Sequence, residues 1–463
     1  MASLYTSFVS SVAFPLQERL KGHTTVAVRR ALEQSQWWSA ERLQALQFER
    51  LRVLLTECGR HVPYYRELFK RLGFDPQAVK STDELRQLPL LTKSEIRSHT
   101  ERLKHERARG LARFNTGGSS GEPLVFYIGN ERVSHDVAAK WRATRWWGVD
   151  IGDPEIVVWG SPIELGAQDK MRQTRDRLMR THLLSAFQMN ETALEGFVME
   201  IRRRRPRMLF GYPSALSHIA GHARVRGVAM TDLGIRVAFV TSERLYDDQR
   251  QAIADAFGCR VANGYGGRDA GFVAHECPSG GMHITSEDIV VELIDAHGRP
   301  VTDGQPGEIV VTHLATRDFP FVRYRTGDIA IRDNGLCACG RGLPMLREIQ
   351  GRTTDFVFAA DGTVMHGLAL IYILRDLPGV QRFKIVQHSL ERTEVFIQAD
   401  SQADRKTRNR QIVEGFKHRL GAGVQIDVQW VERIPAEKSG KFRYVVSHVA
   451  ARTACVAEDP CAT

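Results

Sequence analysis

Apolar positions recur at helical spacing through Leu43, Leu46, Phe48, Leu51 and Leu54, which predicts an amphipathic helix within residues 40–75 that ends near Pro63. Pro89-Leu90-Leu91-Thr92-Lys93 then reads as a turn, with Thr92 as N-cap of a further helix. Residues 111–128 read as strand, Gly-rich loop and strand. Short apolar runs at Ile156–Trp159, Met208–Phe210, Val237–Val240 and Val261–Asn263 predict buried strands, with a helix from about Asp247 to Phe257. Strands alternating with helices across residues 150–265 predict an α/β domain with largely parallel strands. After Gly280 the pattern becomes alternating, at Ile289–Ile294 and Glu308–Thr312 with Asp/Gly turns between. This predicts an antiparallel subdomain.

Beyond Gly351-Arg352 a smaller α+β unit follows. Its strands are expected near Phe383–Gln387, Glu394–Gln398 and Gln425–Val431, with a helix near Arg405–Leu420. The expected organisation is α/β: a large multi-subdomain N-terminal α/β domain (1–350), a joint at 351–355, a small α+β C-terminal domain (356–450) and a loose tail (451–463).

With 463 residues, 43% hydrophobic and 25% charged, the chain has the make-up of a globular protein with more than one domain. No apolar run approaches 18 residues, so no transmembrane helix is expected. Met1–Leu20 lacks the basic lead and small-residue cleavage site of a signal peptide and reads as part of the mature protein, which makes cytoplasm the default compartment. Seven cysteines in this length do not make a disulfide scaffold. A net charge of +10 suits an acidic ligand such as a nucleotide. The densest basic run, Arg202–Arg205, follows Leu194, Phe197, Val198 and Ile201 at helical spacing. It therefore reads as a solvated helix end rather than a nucleic-acid patch.

Three motifs carry candidate chemistry. Thr116-Gly117-Gly118-Ser119-Ser120-Gly121 offers backbone N–H groups and hydroxyls with little steric cost, as a loop gripping phosphate must. No Gly-Lys-Ser/Thr follows, so it is not a Walker A loop. It also fits Gly-x-Ser-x-Gly, but a hydrolase elbow needs a helix after it, and Pro123–Ile128 reads as strand. Tyr324-Arg325-Thr326-Gly327-Asp328 and a late Ser439-Gly440-Lys441 complete the set.

In order and separation these motifs resemble the adenylate-forming ligases, specifically the phenylacetate–CoA ligase-like branch, over roughly residues 60–445. That resemblance implies a site. Thr116, Gly117, Gly118, Ser119, Ser120 and Gly121 would hold the β- and γ-phosphates of ATP. Ser242 and Glu243, with Thr241, would form the loop beside adenine. Asn263, Tyr265 and Gly266 would follow, with Tyr265 stacked on the base. Asp269, standing where the family has Glu, would carry Mg²⁺. Asp328 would accept both ribose hydroxyls and Arg352 would add a further contact. Lys441 would be the catalytic lysine, borne on a mobile C-terminal domain. The implied reaction joins a carboxylic acid, aryl or arylacetic, to AMP and passes the acyl group to coenzyme A. The same adenylation also serves ligases that deliver to an amine or a carrier protein, and a nucleotide-binding homologue without catalysis is the alternative of another class. A homodimer is compatible with this picture; nucleic acid and membrane are not expected as partners.

Cys277, His283, Cys337 and Cys339 make a three-thiolate, one-imidazole set of the kind that closes a tetrahedral zinc site. Relatives in the branch carry a similar set. The competing reading is a reduced Cys-x-Cys turn and a core histidine. The acyl pocket is expected near Val158–Pro162 and Phe210–Pro213.

Overall fold

The computed structural model describes residues 3–115, 124–159, 170–186, 189–295, 297–349, 356–375, 377–399, 405–432, 434 and 445–449. The phosphate-loop residues Thr116–Gly121, the joint with Arg352, and Lys441 lie outside them.

The chain opens with helix α1 (Leu4–Phe8), a π turn (Val9–Ala13) and helix α2 (Phe14–Leu20). Val9 and Phe14 bury against Trp141 and Met179, so this segment is docked on the body of the protein. Helix α3 (Thr25–Ser35) leads to α4 (Ala40–His61), whose first turn is capped by the Ser39 side chain. Pro63 supplies no N–H to the α4 ladder and instead opens α5 (Pro63–Leu72), which stops at Gly73 in the left-handed region. Thr92 and Glu95 form a reciprocal capping box on α6 (Lys93–Ser98). Strands β1 (Ala112–Asn115) and β2 (Val125–Ile128) pair antiparallel around the Gly-rich stretch, and α7 (Asn130–Trp146) follows.

Next come β3 (Glu155–Trp159), α8 (Lys170–Met179), β4 (Thr181–Ser185), α9 (Glu191–Arg204), β5 (Met208–Gly211), α10 (Pro213–Val225), β6 (Val237–Thr241), α11 (Asp247–Phe257) and β7 (Arg260–Gly267). Leu194, Val198 and Ile201 bury one stripe of α9, while Arg202, Arg203 and Arg204 end it in solvent, with Glu200 paired to the last two. The chain then forms β8 (Gly271–Glu276), β9 (Met282–Ile284), β10 (Ile289–Ile294), β11 (Pro306–His313), β12 (Tyr324–Asp333) and β13 (Met345–Ile349).

All these strands from β3 onward join one 11-stranded sheet among the described residues, ordered β10-β11-β12-β13-β9-β8-β7-β6-β5-β3-β4. Strands β4, β3, β5, β6 and β7 are parallel, and every pairing from β7 toward β10 is antiparallel. The antiparallel part is thus not a separate sheet beginning after Gly280. It starts at the β7–β8 pairing and shares β7 with the parallel half, because the short Arg268–Ala270 turn sends the chain straight back along its neighbour.

The C-terminal unit holds a β14 (Phe356–Phe358) and β15 (Val364–His366) hairpin, and α12 (Leu368–Arg375). It also holds β16 (Val380–Gln387), β17 (Arg392–Ala399), α13 (Arg405–Leu420), β18 (Gln425–Trp430) and β19 (Val445–Ser447). Its four-stranded sheet runs β18-β17-β16-β19, and Ile412, Phe416 and Leu420, four residues apart on α13, pack on Phe383, Ile385, Val395 and Ile397.

Candidate active site

The parallel strands β5, β6 and β7 present their carboxyl ends on one edge of the sheet, the side on which open α/β sheets take ligands. Thr241 ends β6. Ser242 follows at φ 74°, a left-handed conformation that costs a residue with a Cβ about 1 kcal/mol and turns the chain sharply at the end of the strand. Glu243 accepts a hydrogen bond from Ser214 Oγ at the start of α10.

Two β-bulges aim the side chains next to this turn. In the β7–β8 ladder, Tyr265 opposes Ala274 but Gly266 opposes Phe272. A Cβ on Gly266 would lie 2.2 Å from the Gly271 carbonyl oxygen, so the close approach requires glycine. In the β11–β12 ladder the register slips between Glu308 and Val310, opposite a turn that contains Gly327 at φ 80°. Thr326 Oγ1 donates to the Ile309 carbonyl and accepts the Asp328 N–H at 3.1 Å, fixing that turn.

The two bulges meet. Tyr265 OH donates to Asp328 Oδ2 at 2.9 Å. Burial, then the Asp328 carboxylate, holds the Tyr265 phenol protonated far above its ordinary range. Tyr324, fully buried on the same strand as Asp328, donates its OH to Asp269 Oδ2 at 2.5 Å, and the Ala270 N–H approaches Asp269 Oδ1 at 3.2 Å. Asp269 is therefore oriented from both sides. Asn263 contributes its backbone N–H to Glu276 Oε2 at 2.8 Å, and Arg250 binds the same carboxylate, so the base of β7 is pinned to α11.

Of the expected site residues, the structure pairs Tyr265 with Asp328, while Asp269 is held separately by Tyr324 on the strand that carries Asp328. Ser242 and Glu243 lie on the turn that follows the neighbouring strand β6. Tyr324 enters the site without a role implied by its motif; its alternation with Thr326 and Asp328 along one strand is the signal the sequence offers. Trp159 stacks on Tyr212 at 4.4 Å and on Phe210 at 6.1 Å. Phe210 and Tyr212 are buried, which gives them a core role, while Trp159 remains partly exposed at the end of β3.

The cysteine and histidine set also converges. The ligand atoms of Cys277, His283, Cys337 and Cys339 all lie within 4.8 Å of one another. Cys277 Sγ is 3.6 Å from Cys337 Sγ, and Cys339 Sγ is 3.2 Å from His283 Nε2. Sulfurs sharing one zinc at about 2.3 Å stand about 3.8 Å apart, so the donor set fits a tetrahedral ion. His283 Nδ1 lies 3.3 Å from the Leu343 carbonyl; donation there leaves Nε2 free of its proton and facing the thiols. Cys277 and Cys337 each begin a Cys-x-x-Gly turn: the Gly280 and Gly340 N–H groups donate back to their carbonyls, both glycines at positive φ. A Cβ on Gly281 would lie 2.7 Å from Cys337 Sγ, so the chain is stripped of side chain where the cluster closes. Burial pushes the Cys277 thiol up to about 12 and the His283 imidazole down to about 4.

The N-terminal helices brace this cluster. The Gly342 N–H donates to the Gln36 carbonyl, and Gln36 Oε1 accepts from Trp146 Nε1 at 2.7 Å and Arg341 Nε at 3.2 Å. Nearby, buried Glu287 accepts from Ser35 at 2.7 Å and Arg142 at 2.6 Å.

The CapK C-terminal domain family matches residues 357–448. Protein CapK of Staphylococcus aureus is 23% identical over 407 residues, covering 87% of this chain and 89% of that protein. A phenylacetate-coenzyme A ligase of Thermus thermophilus is 29% identical over 329 residues, 68% of this chain and 72% of the relative. A 2-hydroxyisobutyryl-CoA ligase solved with 2-HIB-AMP and CoA in the thioesterification state superposes with TM-score 0.64 at 20% identity, covering 89% of this chain and 91% of that one. The fold is therefore the one seen in that acyl-CoA ligase. In sequence the chain is similar to phenylacetate-coenzyme A ligases over about two thirds of its length, and residues 357–448 match the CapK C-terminal domain family.

Proposed function

We propose that this chain is an AMP-forming acid–thiol ligase. A carboxylate oxygen attacks the α-phosphate of ATP, pyrophosphate leaves, and the acyl-adenylate then yields its acyl group to the thiol of coenzyme A with release of AMP. The observation that carries this reading is the Tyr265–Asp328 and Tyr324–Asp269 pairing where antiparallel strands join the parallel half of the sheet, in a chain similar over about two thirds of its length to phenylacetate–CoA ligases.

In this reading Asp328 accepts the ribose hydroxyls and Tyr265 presents its ring to the base. Asp269 supplies a carboxylate oxygen to Mg²⁺, which would neutralise phosphate charge; one oriented carboxylate plus phosphate oxygens suits that ion. The loop Thr116–Gly121, Arg352 and Lys441 retain the roles their motifs imply, with 351–355 as the joint between domains and Lys441 beside the attacking carboxylate. Aryl and arylacetic acids are the favoured substrates, given partly exposed Trp159 and relatives named phenylacetate-coenzyme A ligases. The cysteine–histidine cluster holds a structural zinc ion, which would cross-link β8, β9 and the loop before β13.

Carboxylate-dependent ATP–pyrophosphate exchange, screened over aryl, arylacetic, fatty and amino acids, tests the reading. Exchange with one acid class is expected; silence across the panel with ATP binding intact would overturn it. Lys441→Ala should lose exchange by on the order of a hundredfold or more while still converting supplied acyl-AMP to thioester. Undiminished exchange in that variant would remove Lys441 from the adenylation step.

A further inference from the structure

Along the first three segments of the chain, Leu4, Phe8, Val12, Leu16 and Leu20 recur every four residues and all face solvent. Their exposures are 93%, 51%, 52%, 57% and 80%. Single exposed apolar side chains are ordinary; five in strict repeat are not. On an α-helix of 3.6 residues per turn, a repeat of four drifts about 40° per step, so five positions would wind about 160° around the axis. The π turn at Val9–Ala13 lies in the middle of this run, and its wider winding takes up part of the drift. The five side chains thus form a narrower line about 24 Å long on a rise of 1.5 Å per residue.

The opposite face is already occupied. Thr6, Val9, Phe14 and Glu18 are buried, and Thr6 bonds Asp153 at 2.9 Å. The stripe is therefore what remains after the segment has docked, not an undocked core face. Tyr5, partly exposed, extends the stripe sideways: its OH donates to the Leu178 carbonyl, and Arg180 lies over its ring at 5.2 Å.

Among the described residues of the segment itself, the exposed charges are all basic. Within residues 3–35 the exposed ionic side chains are Arg19, Lys21 and Arg30. The acids there are Glu18, buried with Thr25 and His23, and Glu33, half-buried and paired with Arg29 and Arg145. Beside Tyr5, Arg177 and Arg180 are exposed on either side of exposed Leu178. A second copy of the chain laid on this face by a two-fold axis would set these cations against one another. An anionic lipid surface meets both demands, accepting the apolar line among its acyl chains and the arginines and lysine at its headgroups.

We infer that the N-terminal α1–π–α2 segment docks the protein peripherally onto an anionic bilayer surface. No described helix is long and apolar enough to cross a membrane, so this is adsorption in the interface plane. The inference is independent of the ligase reading, since the stripe lies on different elements from Tyr265, Asp269 and Asp328.

Flotation of the full chain with vesicles of phosphatidylcholine mixed with phosphatidylglycerol, and with phosphatidylcholine alone, tests it at low and high salt. The expected result is association with the anionic vesicles that weakens with salt. It should fall about tenfold or more in the Leu16→Glu/Leu20→Glu double variant, whose thermal midpoint and pyrophosphate exchange stay at the parental values. A second variant, Arg177→Gln/Arg180→Gln, should weaken binding to anionic vesicles without removing the apolar line. Failure of the parent chain to float with anionic vesicles at low salt overturns the inference. So does a concentration-dependent dimer, by sedimentation, that the double variant abolishes.

Discussion

Tyr324 carries more of the site than its place in a motif suggests. Its hydroxyl holds Asp269 from beneath while two residues on Thr326 shapes the turn that presents Asp328. Removing that hydroxyl leaves Asp269 its neighbouring N–H alone. Tyr324→Phe should lower exchange by about tenfold and raise the Mg²⁺ concentration needed for half-maximal rate, since partners of metal-binding carboxylates set their aim. An unchanged Mg²⁺ dependence would show that Tyr324 serves packing only. At this scale much was legible beforehand: Tyr265, Asp269 and Asp328 each follow a motif. The Tyr265–Asp328 and Tyr324–Asp269 hydrogen bonds were not, because they join residues 63 and 55 positions apart, and one strand's pattern does not state which neighbour it will meet.

The elements were legible wherever one periodicity ruled. The helix at Asp247–Phe257, the Thr92 cap and the two paired strands on either side of the phosphate motif all follow from local pattern. What pattern could not give is the pair of bulges. A bulge is a disagreement between two strands, and alternation within one strand conceals it. The same limit explains why the antiparallel strands read as a subdomain, when β7 stitches them to the parallel half. The β7 bulge is directly testable. Gly266→Ala would drive a methyl to within 2.2 Å of the Gly271 oxygen unless the hairpin shifts. The expected cost is about 1–3 kcal/mol of stability in denaturant unfolding, with a larger fractional loss of exchange, because Tyr265 would move off Asp328. Wild-type stability in this variant would mean the hairpin relaxes freely.

At the scale of the whole molecule, the cysteine–histidine cluster is where distant parts of the chain are tied. It joins β8, β9 and residues 337–343, and through Gln36 and Trp146 it engages the N-terminal helices. Protein purified without chelator should contain about one zinc per chain by elemental analysis. Stripping it should lower the thermal midpoint by about 5 °C or more, and Cys277→Ser should mimic that loss. Zinc-free protein with an unaltered midpoint would leave the cluster as a set of packed thiols. The same ties have a consequence for biosynthesis. Ser35 finds Glu287 252 residues later, and Gln36 finds Arg341 305 residues later. At about 5–20 residues per second, the leading helices leave the ribosome roughly 15–60 s before their partners exist. For that interval their inward face is as bare as their outward one. The nascent chain therefore needs a holding partner, or a tolerant surface to rest on, long before it has a nucleotide site to protect.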